Sequence, residues 1–126
     1  MTARTILIVD DDADIREIVQ FALELQPDWK VIGESEGEHA IDRAVEVRPD
    51  AILLDVNLGG MDGPATLAAL RADDRTARIP VLFLTANPQP ADVDRLRALG
   101  AHGVLAKPFD PLSLGSQIAR EMRWPE

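Results

Sequence analysis

The sequence contains no cysteine, and basic residues are few compared with acidic ones. Without cysteine, neither a disulfide framework nor thiol chemistry is available, which fits a reducing compartment. The chain has 13 Lys and Arg against 22 Asp and Glu, which gives a formal net charge of −9. Neutralising nucleic-acid phosphates requires clustered Lys and Arg, so we expect no nucleic-acid partner for this domain.

Long hydrophobic runs and nucleotide-binding glycine motifs are also absent from the sequence. The first apolar run, Ile6-Leu7-Ile8-Val9, is too short for the core of a signal peptide and far too short to cross a bilayer. The isolated pair Gly59-Gly60 does not form a P-loop or a G-x-G-x-x-G motif. We therefore expect a soluble, cytoplasmic protein with no membrane partner and no nucleotide cofactor.

The length and the hydrophobic content predict one folded domain. The chain has 126 residues, of which 46% are hydrophobic, enough to bury a single core. It shows no internal repeat, linker or low-complexity stretch. We expect residues 1–126 to form one domain, with no output domain.

Short apolar runs recur along the chain and predict five strands. A continuous apolar run is typical of a strand that is buried on both faces of a parallel sheet. The predicted strands are Ile6–Val9, Trp29–Gly33, Ala51–Leu54, Val81–Leu84 and Gly103–Ala106.

Helical patterns follow each of these runs. Ile15, Ile18, Val19 and Ala22 have the i, i+3, i+4, i+7 spacing of one helix face. Later helices are predicted around Ala40–Val45, from Pro64 through Leu70, over Ala91–Leu99 before Gly100, and from Pro111 to Met122. Five alternating strand and helix units predict an α/β fold, in which a parallel sheet carries helices on both faces.

Reactive polar residues stand at the ends of four predicted strands. They are Asp10-Asp11-Asp12, Asp55, Thr85 and Lys107. The carboxyl ends of parallel strands lie along one edge of the sheet, so these side chains meet if their strands are neighbours. Carboxylates held so close repel one another, which raises their pKa values. A hard divalent cation such as Mg²⁺, which prefers oxygen ligands, relieves that repulsion.

Asp55 in this setting is a candidate nucleophile. A carboxylate can attack phosphorus and form an acyl phosphate. Phosphoryl transfer needs in-line positioning, with cations and hydrogen-bond donors around the phosphoryl oxygens. Mg²⁺, the Lys107 ammonium and the Thr85 hydroxyl form a suitable set, and Ala86 is small enough to leave the donor an approach path.

Taken together, these motifs resemble the receiver domain of two-component response regulators. The resemblance covers nearly the whole chain and rests on Ile6–Asp12, Leu54-Asp55, Met61-Asp62-Gly63, Leu84-Thr85-Ala86 and Lys107-Pro108-Phe109. It implies a flavodoxin-like (βα)5 doubly wound sheet of five parallel strands in the order 2-1-3-4-5. It also implies a cis bond between Lys107 and Pro108.

The resemblance also implies a role for each site residue. Asp55 would be the phosphoacceptor, and Thr85 and Lys107 would contact the phosphoryl group. Mg²⁺ would be held by Asp10, mostly through water, by Asp11 and Asp55 directly, and by the backbone carbonyl of Asn57. The domain would then catalyse only its own phosphorylation and dephosphorylation, and would not be an enzyme in the usual sense.

Two kinds of protein partner follow from the same resemblance. A sensor histidine kinase or a histidine phosphotransfer protein would donate the phosphoryl group while docked near Ala13–Leu25. A downstream protein target would bind the surface of helix four, strand five and helix five, within Ala91–Met122.

Two positions depart from the receiver pattern and leave alternatives open. Gly59 stands where the family usually has proline, and Val104 stands where it often has Tyr or Phe as a switch. A pseudo-receiver that binds partners without phosphorylation is therefore one alternative. A small Mg²⁺-dependent aspartyl phosphatase is another, although Asn57 stands where such enzymes usually carry their general acid.

Simpler structural roles are also open for several of these residues. Asp10-Asp11-Asp12 could cap a helix, Thr85 could be an ordinary strand-end hydroxyl, and Lys107 could be a surface lysine. We expect His39 and His102 at the surface, and we expect Trp29 and Trp124 to serve packing.

Overall fold

A computed structural model describes residues 3–86 and 88–125 of the chain. Asn87, in the loop after the fourth predicted strand, lies outside the described residues, as do residues 1, 2 and 126. The elements are β1 Arg4–Val9, α1 Ala13–Glu24, β2 Trp29–Glu34, α2 Gly37–Val47, β3 Ala51–Asp55, α3 Gly63–Ala72, β4 Val81–Ala86, α4 Pro90–Ala98, β5 Gly103–Lys107 and α5 Leu114–Met122. Within the described ranges, no helix is both long enough and apolar enough to cross a membrane.

The five strands form one parallel sheet in the order β2-β1-β3-β4-β5. This order confirms the predicted flavodoxin-like arrangement. It also places β1, β3, β4 and β5 side by side, as the strand-end argument requires. In the sheet register Asp55 pairs with Leu84 and Ala86 pairs with Lys107, so the carboxyl ends of these strands lie along one edge.

The core has two layers because alternate residues of each buried strand face opposite sides of the sheet. Ile6, Ile8 and Leu53 pack on one side with buried residues of α1 and α5. Leu7, Ile52 and Leu54 pack on the other side with buried residues of α2, α3 and α4. All five residues of β3 are buried, as its continuous apolar run predicts.

Side-chain caps fix the starts of α1 and α3 next to the strand ends. The Asp12 carboxylate accepts the Asp14 amide at 2.9 Å, and the Asp62 carboxylate accepts the Ala65 amide at 2.8 Å. Each cap satisfies one backbone donor in the first turn of its helix. The capping interpretation of the acidic triplet is therefore right for Asp12.

Two sequence predictions about the helices need correction. The last helix begins at Leu114 and not at Pro111. Residues 111–113 form a separate turn, in which the Asp110 carboxylate accepts the Leu112 amide at 3.0 Å. Ile18, predicted on the inner face of α1, is 41% exposed, whereas Val19 and Ala22 are buried.

The two tryptophans pack against each other at the amino-terminal edge of the sheet. The Trp29 and Trp124 rings meet edge to face with centroids 5.5 Å apart. The Arg4 guanidinium lies 4.4 Å from the centroid of the Trp124 ring, a cation–π contact. The expected packing role of both tryptophans is confirmed.

Gly63 lets α3 approach the end of β3 very closely. A Cβ atom added at Gly63 would lie 2.5 Å from the Asp55 carbonyl oxygen, 2.8 Å from Val56 Cα and 3.0 Å from Phe83 Cε1. Two of these three atoms belong to the backbone and cannot move aside easily. The position of α3 against the strand that carries Asp55 therefore depends on a residue without a side chain.

We predict that Gly63→Ala lowers the free energy of unfolding by about 1–3 kcal/mol, because the methyl group overpacks a rigid junction. Urea denaturation measures this change. The control is Gly59→Ala, whose Cβ would lie 3.5 Å from the nearest neighbour, the Asp11 carboxylate. This control should stay within about 1 kcal/mol of the wild type. Equal stability of the two variants would contradict the close-packing explanation.

Candidate functional site

Three carboxylates meet at the carboxyl edge of the sheet. Asp10 directly follows β1 and Asp55 is the last residue of β3. Each of Asp10, Asp11 and Asp55 offers a carboxylate oxygen, and these three oxygens lie within 4.8 Å of one another. Asp10 is fully buried and Asp55 is 6% exposed, whereas Asp11 is exposed. These three carboxylates are therefore close together, as the strand-end argument expected.

Lys107 brings a positive charge to this carboxylate group. Its Nζ atom lies 3.1 Å from Asp10 Oδ2 and 3.4 Å from Asp55 Oδ1. Burial by itself lowers the pKa of Lys107, but the hydrogen bond and charge of Asp10, together with Asp55, raise the pKa above its usual value. The side chain is therefore a permanent cation between two acids, and not a surface lysine.

Lys107 is the last residue of β5, and its bond to Pro108 is cis, as the family resemblance implied. The lysine thus enters the site from the strand end, where the chain turns away from the sheet.

Asp10 is held firmly from several directions. Its Oδ1 atom accepts the Asp12 amide at 2.9 Å, and its Oδ2 atom accepts Lys107. Burial raises the pKa of Asp10 above its usual range, and the negative charge of Asp55 adds to this, although the bonds from Asp12 and Lys107 oppose it. The ionised form of Asp10 is therefore less favourable than that of a solvent-exposed aspartate.

Asn57 lies two residues after the end of β3, and Thr85 lies in β4. The backbone amide of Asn57 donates a hydrogen bond to Asp55 Oδ1 at 3.1 Å. This bond holds the Asp55 carboxylate against the turn after β3. Thr85 lies one position beyond Leu84, the register partner of Asp55, and is half-buried. Its hydroxyl makes no hydrogen bond to any other described residue. The predicted roles of Thr85 and of the Asn57 carbonyl remain predictions.

The chemistry of this group fits a hard divalent cation. Three acidic side chains face one lysine, so negative charge is in excess at the site. All the side-chain donors are carboxylate oxygens, which suit Mg²⁺ better than softer metals that prefer nitrogen or sulfur ligands. Asp10, Asp11 and Asp55 could therefore hold a metal ion.

Hydrogen bonds fasten the loop after Asp55 to two other acids. The Gly59 amide donates to Asp11 Oδ2 at 3.1 Å, and the Met61 amide donates to Glu38 Oε1 at 3.1 Å. The bonds from Asn57 and Gly63 hold the start and end of the same loop, since the Gly63 amide donates to the Val56 carbonyl at 3.1 Å.

Sequence reasoning missed the contributions of Arg16 and Glu38 near the site. Arg16 Nη1 donates to the backbone carbonyl of Asp10 at 2.7 Å, and Glu38 holds the loop through Met61. Both contacts join a side chain to the backbone of another segment. Neither periodicity nor motif spacing reports such contacts, so no pattern in the sequence indicates them.

The remaining candidates lie apart from the carboxylates. His39 and His102 are exposed, as expected, and His102 Nε2 lies 2.9 Å from the Glu121 carbonyl. Val104 is half-buried, pairs with Phe83 in the sheet register and packs against the core on the α2–α4 side. No tyrosine exists in the chain, and the switch position carries this valine.

Sequence comparison finds similarity to two bacterial regulatory proteins. The chain is 39% identical over 123 residues to the phosphate regulon transcriptional regulatory protein PhoB of Escherichia coli (strain K12), which covers 96% of the chain and 52% of PhoB. It is 44% identical over 107 residues to the nitrate/nitrite response regulator protein NarP of the same organism, which covers 84% of the chain and 49% of NarP. The chain spans about half the length of these curated relatives.

Structural comparison finds a similar fold in a chain of similar length. The chemotaxis response regulator CheY4 of Vibrio cholerae superposes with a TM-score of 0.87 at 32% identity, covering 95% of this chain and 99% of that one. The model of the response regulator receiver domain family matches residues 6–119. The chain therefore belongs to the response regulator receiver domains of two-component signalling.

Proposed function

We propose that this receiver accepts a phosphoryl group on Asp55, with Mg²⁺ bound at the neighbouring carboxylates. The single observation that best supports this is the position of Lys107 Nζ, 3.1 Å from Asp10 and 3.4 Å from Asp55. A buried ammonium beside the candidate nucleophile is well placed to bind the oxygens of an incoming phosphoryl group. The donor in this proposal is a phosphohistidine of a sensor histidine kinase or a histidine phosphotransfer protein.

In the proposed step, a carboxylate oxygen of Asp55 forms a bond to phosphorus while the bond from phosphorus to the donor's imidazole nitrogen breaks. The nitrogen leaves with the electron pair of that bond and the imidazole takes up a proton. The products are an acyl phosphate on Asp55 and a free histidine on the donor. The backbone amide of Asn57, whose nitrogen lies 3.1 Å from Asp55 Oδ1, keeps the Asp55 carboxylate oriented for this attack.

The other residues bind and position the transferred group. Lys107 would neutralise developing charge on the phosphoryl oxygens, and the Thr85 hydroxyl would donate a hydrogen bond to one of them. Asp10, Asp11, Asp55 and the Asn57 carbonyl would hold Mg²⁺. When bound, the cation offsets negative charge on both the carboxylates and the phosphoryl group. The domain would turn over only its own acyl phosphate, and would act as a switch more than as an enzyme.

Exposed apolar side chains on and directly after α1 support docking of the donor on this helix. Ile18 and Phe21 of α1 are 41% and 65% exposed, Leu25 directly after it is 51% exposed, and Leu112 in the turn before α5 is 77% exposed. Large apolar side chains exposed on one helix are typical of a protein-binding surface.

The α4–β5–α5 surface would bind the downstream protein. A cleft of about 570 Å³ on this surface is lined by Arg97, His102, Arg120, Glu121, Met122 and Arg123. Only Glu121 among these carries negative charge, and it lies 4.0 Å from Arg97. In a chain of net charge −9 such a basic cleft favours an acidic group on a protein partner, and it does not reach the extent that a nucleic-acid surface requires.

The alternative of an unphosphorylated pseudo-receiver draws support only from the two departures from the receiver pattern, Gly59 and Val104, of which Val104 cannot act as an aromatic switch. The carboxylate group with Lys107 favours a working site. The phosphatase alternative is disfavoured by Asn57, whose amide side chain cannot serve as a general acid.

We predict that acetyl phosphate with Mg²⁺ adds one phosphoryl group to the wild type and none to Asp55→Asn, because the amide is not a nucleophile. Intact-mass spectrometry and hydroxylamine lability measure the adduct. Lys107→Ala should slow labelling about 100-fold, as loss of a charge-stabilising donor does. Labelling of Asp55→Asn at another residue would refute the assignment, and steady release of phosphate from a small phosphomonoester would favour the phosphatase.

We predict that Mg²⁺ raises the melting temperature, since a cation at about 100 times its Kd stabilises the fold by about 2.7 kcal/mol. Asp11→Asn should lose most of this gain. The matched control Asp12→Asn also removes one negative charge, yet asparagine still caps α1. Thermal unfolding followed by circular dichroism measures the gain, and an equal loss in both variants would contradict the proposed ligands.

The rise in melting temperature caused by Mg²⁺ should become smaller as the pH falls. Mg²⁺ requires ionised carboxylates, and burial raises the pKa of Asp10 above the ordinary value of 3.8. As the pH falls through that raised pKa, Asp10 takes up a proton and the stabilisation by Mg²⁺ is lost. We expect the loss to begin above the pH at which an unperturbed aspartate titrates. A gain that is undiminished at that lower pH would contradict the role of Asp10.

We predict that beryllofluoride, a phosphoryl mimic, increases capture of the downstream protein by immobilised wild type but not by Asp55→Asn. Charge reversal in the cleft by Arg120→Glu should reduce capture, and it should leave labelling by acetyl phosphate unchanged. Arg43→Glu on α2 is the control away from this surface. Identical capture with and without beryllofluoride would favour the pseudo-receiver.

A further inference from the structure

Asp11 differs from the two other carboxylates in how it is held. Asp10 and Asp55 are buried and contact Lys107, whereas Asp11 is exposed and lies in the turn between β1 and α1. Among the described residues its carboxylate makes one hydrogen bond, with the Gly59 amide at 3.1 Å. An exposed aspartate without that bond would be free to adopt several side-chain rotamers.

The bond is made to Oδ2 of Asp11, and Oδ1 makes no hydrogen bond to another described residue. Hydrogen bonds to ligating carboxylates orient them, and removing the partner typically weakens metal binding about 10–100-fold. The donor here is a backbone amide 48 positions away along the chain. Any residue except proline could supply it, because proline has no amide hydrogen.

We propose that the backbone amide of Gly59 is a positioning group for the cation site. It holds the Asp11 carboxylate in an orientation that can bind Mg²⁺. The proposal rests on the proposed Mg²⁺ site and names a residue of this chain that determines the affinity of that site for Mg²⁺. Proline, which the receiver pattern usually has at this position, could not make the bond. The glycine therefore contributes through its amide hydrogen as well as through flexibility.

Glu38 fixes the other side of the same loop. Its Oε1 atom accepts the Met61 amide at 3.1 Å, and the pKa of Glu38 is held below its usual value by hydrogen bonds from its own amide and that of Met61. Between these two anchors Gly60 has φ +67°, a left-handed conformation that glycine adopts without strain. The Gly59 amide is therefore held in place facing Asp11, although the loop is rich in glycine.

Two substitutions separate the amide hydrogen from the flexibility of glycine. A Cβ atom at Gly59 would lie 3.5 Å from Asp11 Oδ2, an ordinary contact, so Gly59→Ala keeps both the geometry and the donor. Gly59→Pro removes the donor. Both variants restrict the backbone, and only the second loses the hydrogen bond.

Mg²⁺ titration of the full chain by isothermal calorimetry tests the proposal. We expect Gly59→Ala to bind within about threefold of the wild type and Gly59→Pro to bind about tenfold more weakly or worse. Urea denaturation without Mg²⁺ verifies that each variant is folded. If Gly59→Pro binds Mg²⁺ as tightly as Gly59→Ala, the proposal is wrong while the cation site stands. If the wild type itself binds no Mg²⁺, the site and this proposal both fail.

Amide exchange measured by NMR gives a second test that does not need the proline variant to fold. The Gly59 amide should exchange slowly in the wild type without Mg²⁺, and still more slowly when Mg²⁺ fixes Asp11. In Asp11→Ala it should exchange at least tenfold faster, while the Met61 amide, held by Glu38, stays protected. Equal exchange of the Gly59 amide in the wild type and in Asp11→Ala would overturn the proposal.

Discussion

Repulsion among three carboxylates is the constraint around which the functional edge of this domain is built. Ionised groups whose oxygens lie within 4.8 Å repel by about 3–4 kcal/mol per pair at an effective dielectric constant of about 20. Lys107 offsets part of this by contacting Asp10 and Asp55. It does not contact Asp11, so one acid is left for a cation. An incoming phosphoryl group brings more negative charge, which makes cations beside the carboxylates still more necessary.

Much of the fold could be predicted from the sequence because its signals are local. Four-residue apolar runs such as Ile6–Val9 and Val81–Leu84 mark strands buried on both faces, and the strand-end rule then places Asp10, Asp55 and Lys107 at one edge. The order of strands, which was implied by the family resemblance and not by these local signals, was confirmed. The start of the last helix was wrong, because Pro111 fits a first helical position as well as it fits the separate turn that it enters.

The parts of the site that the sequence did not reveal depend on contacts between a side chain and a distant backbone. The bonds from Gly59 to Asp11 and from Arg16 to the Asp10 carbonyl join different segments, and they follow no period. Predicting them requires the positions of the loops. Val104 was recognised as a departure, and the structure adds that it packs against the core on the α2–α4 side, beside Phe83. This valine cannot act as the aromatic switch that the receiver pattern often has at its position.

The most direct measurement is a crystal structure of the domain with Mg²⁺ and beryllofluoride. If Asp55 is the phosphoacceptor, we expect the beryllium on an Asp55 oxygen, with Lys107 Nζ and the Thr85 hydroxyl within hydrogen-bond distance of its fluorides. Mg²⁺ should then be bound by Asp11, Asp55 and the Asn57 carbonyl, with Asp10 close by. Beryllofluoride bound to another residue, or a metal ion away from these carboxylates, would contradict the proposed role of Asp55.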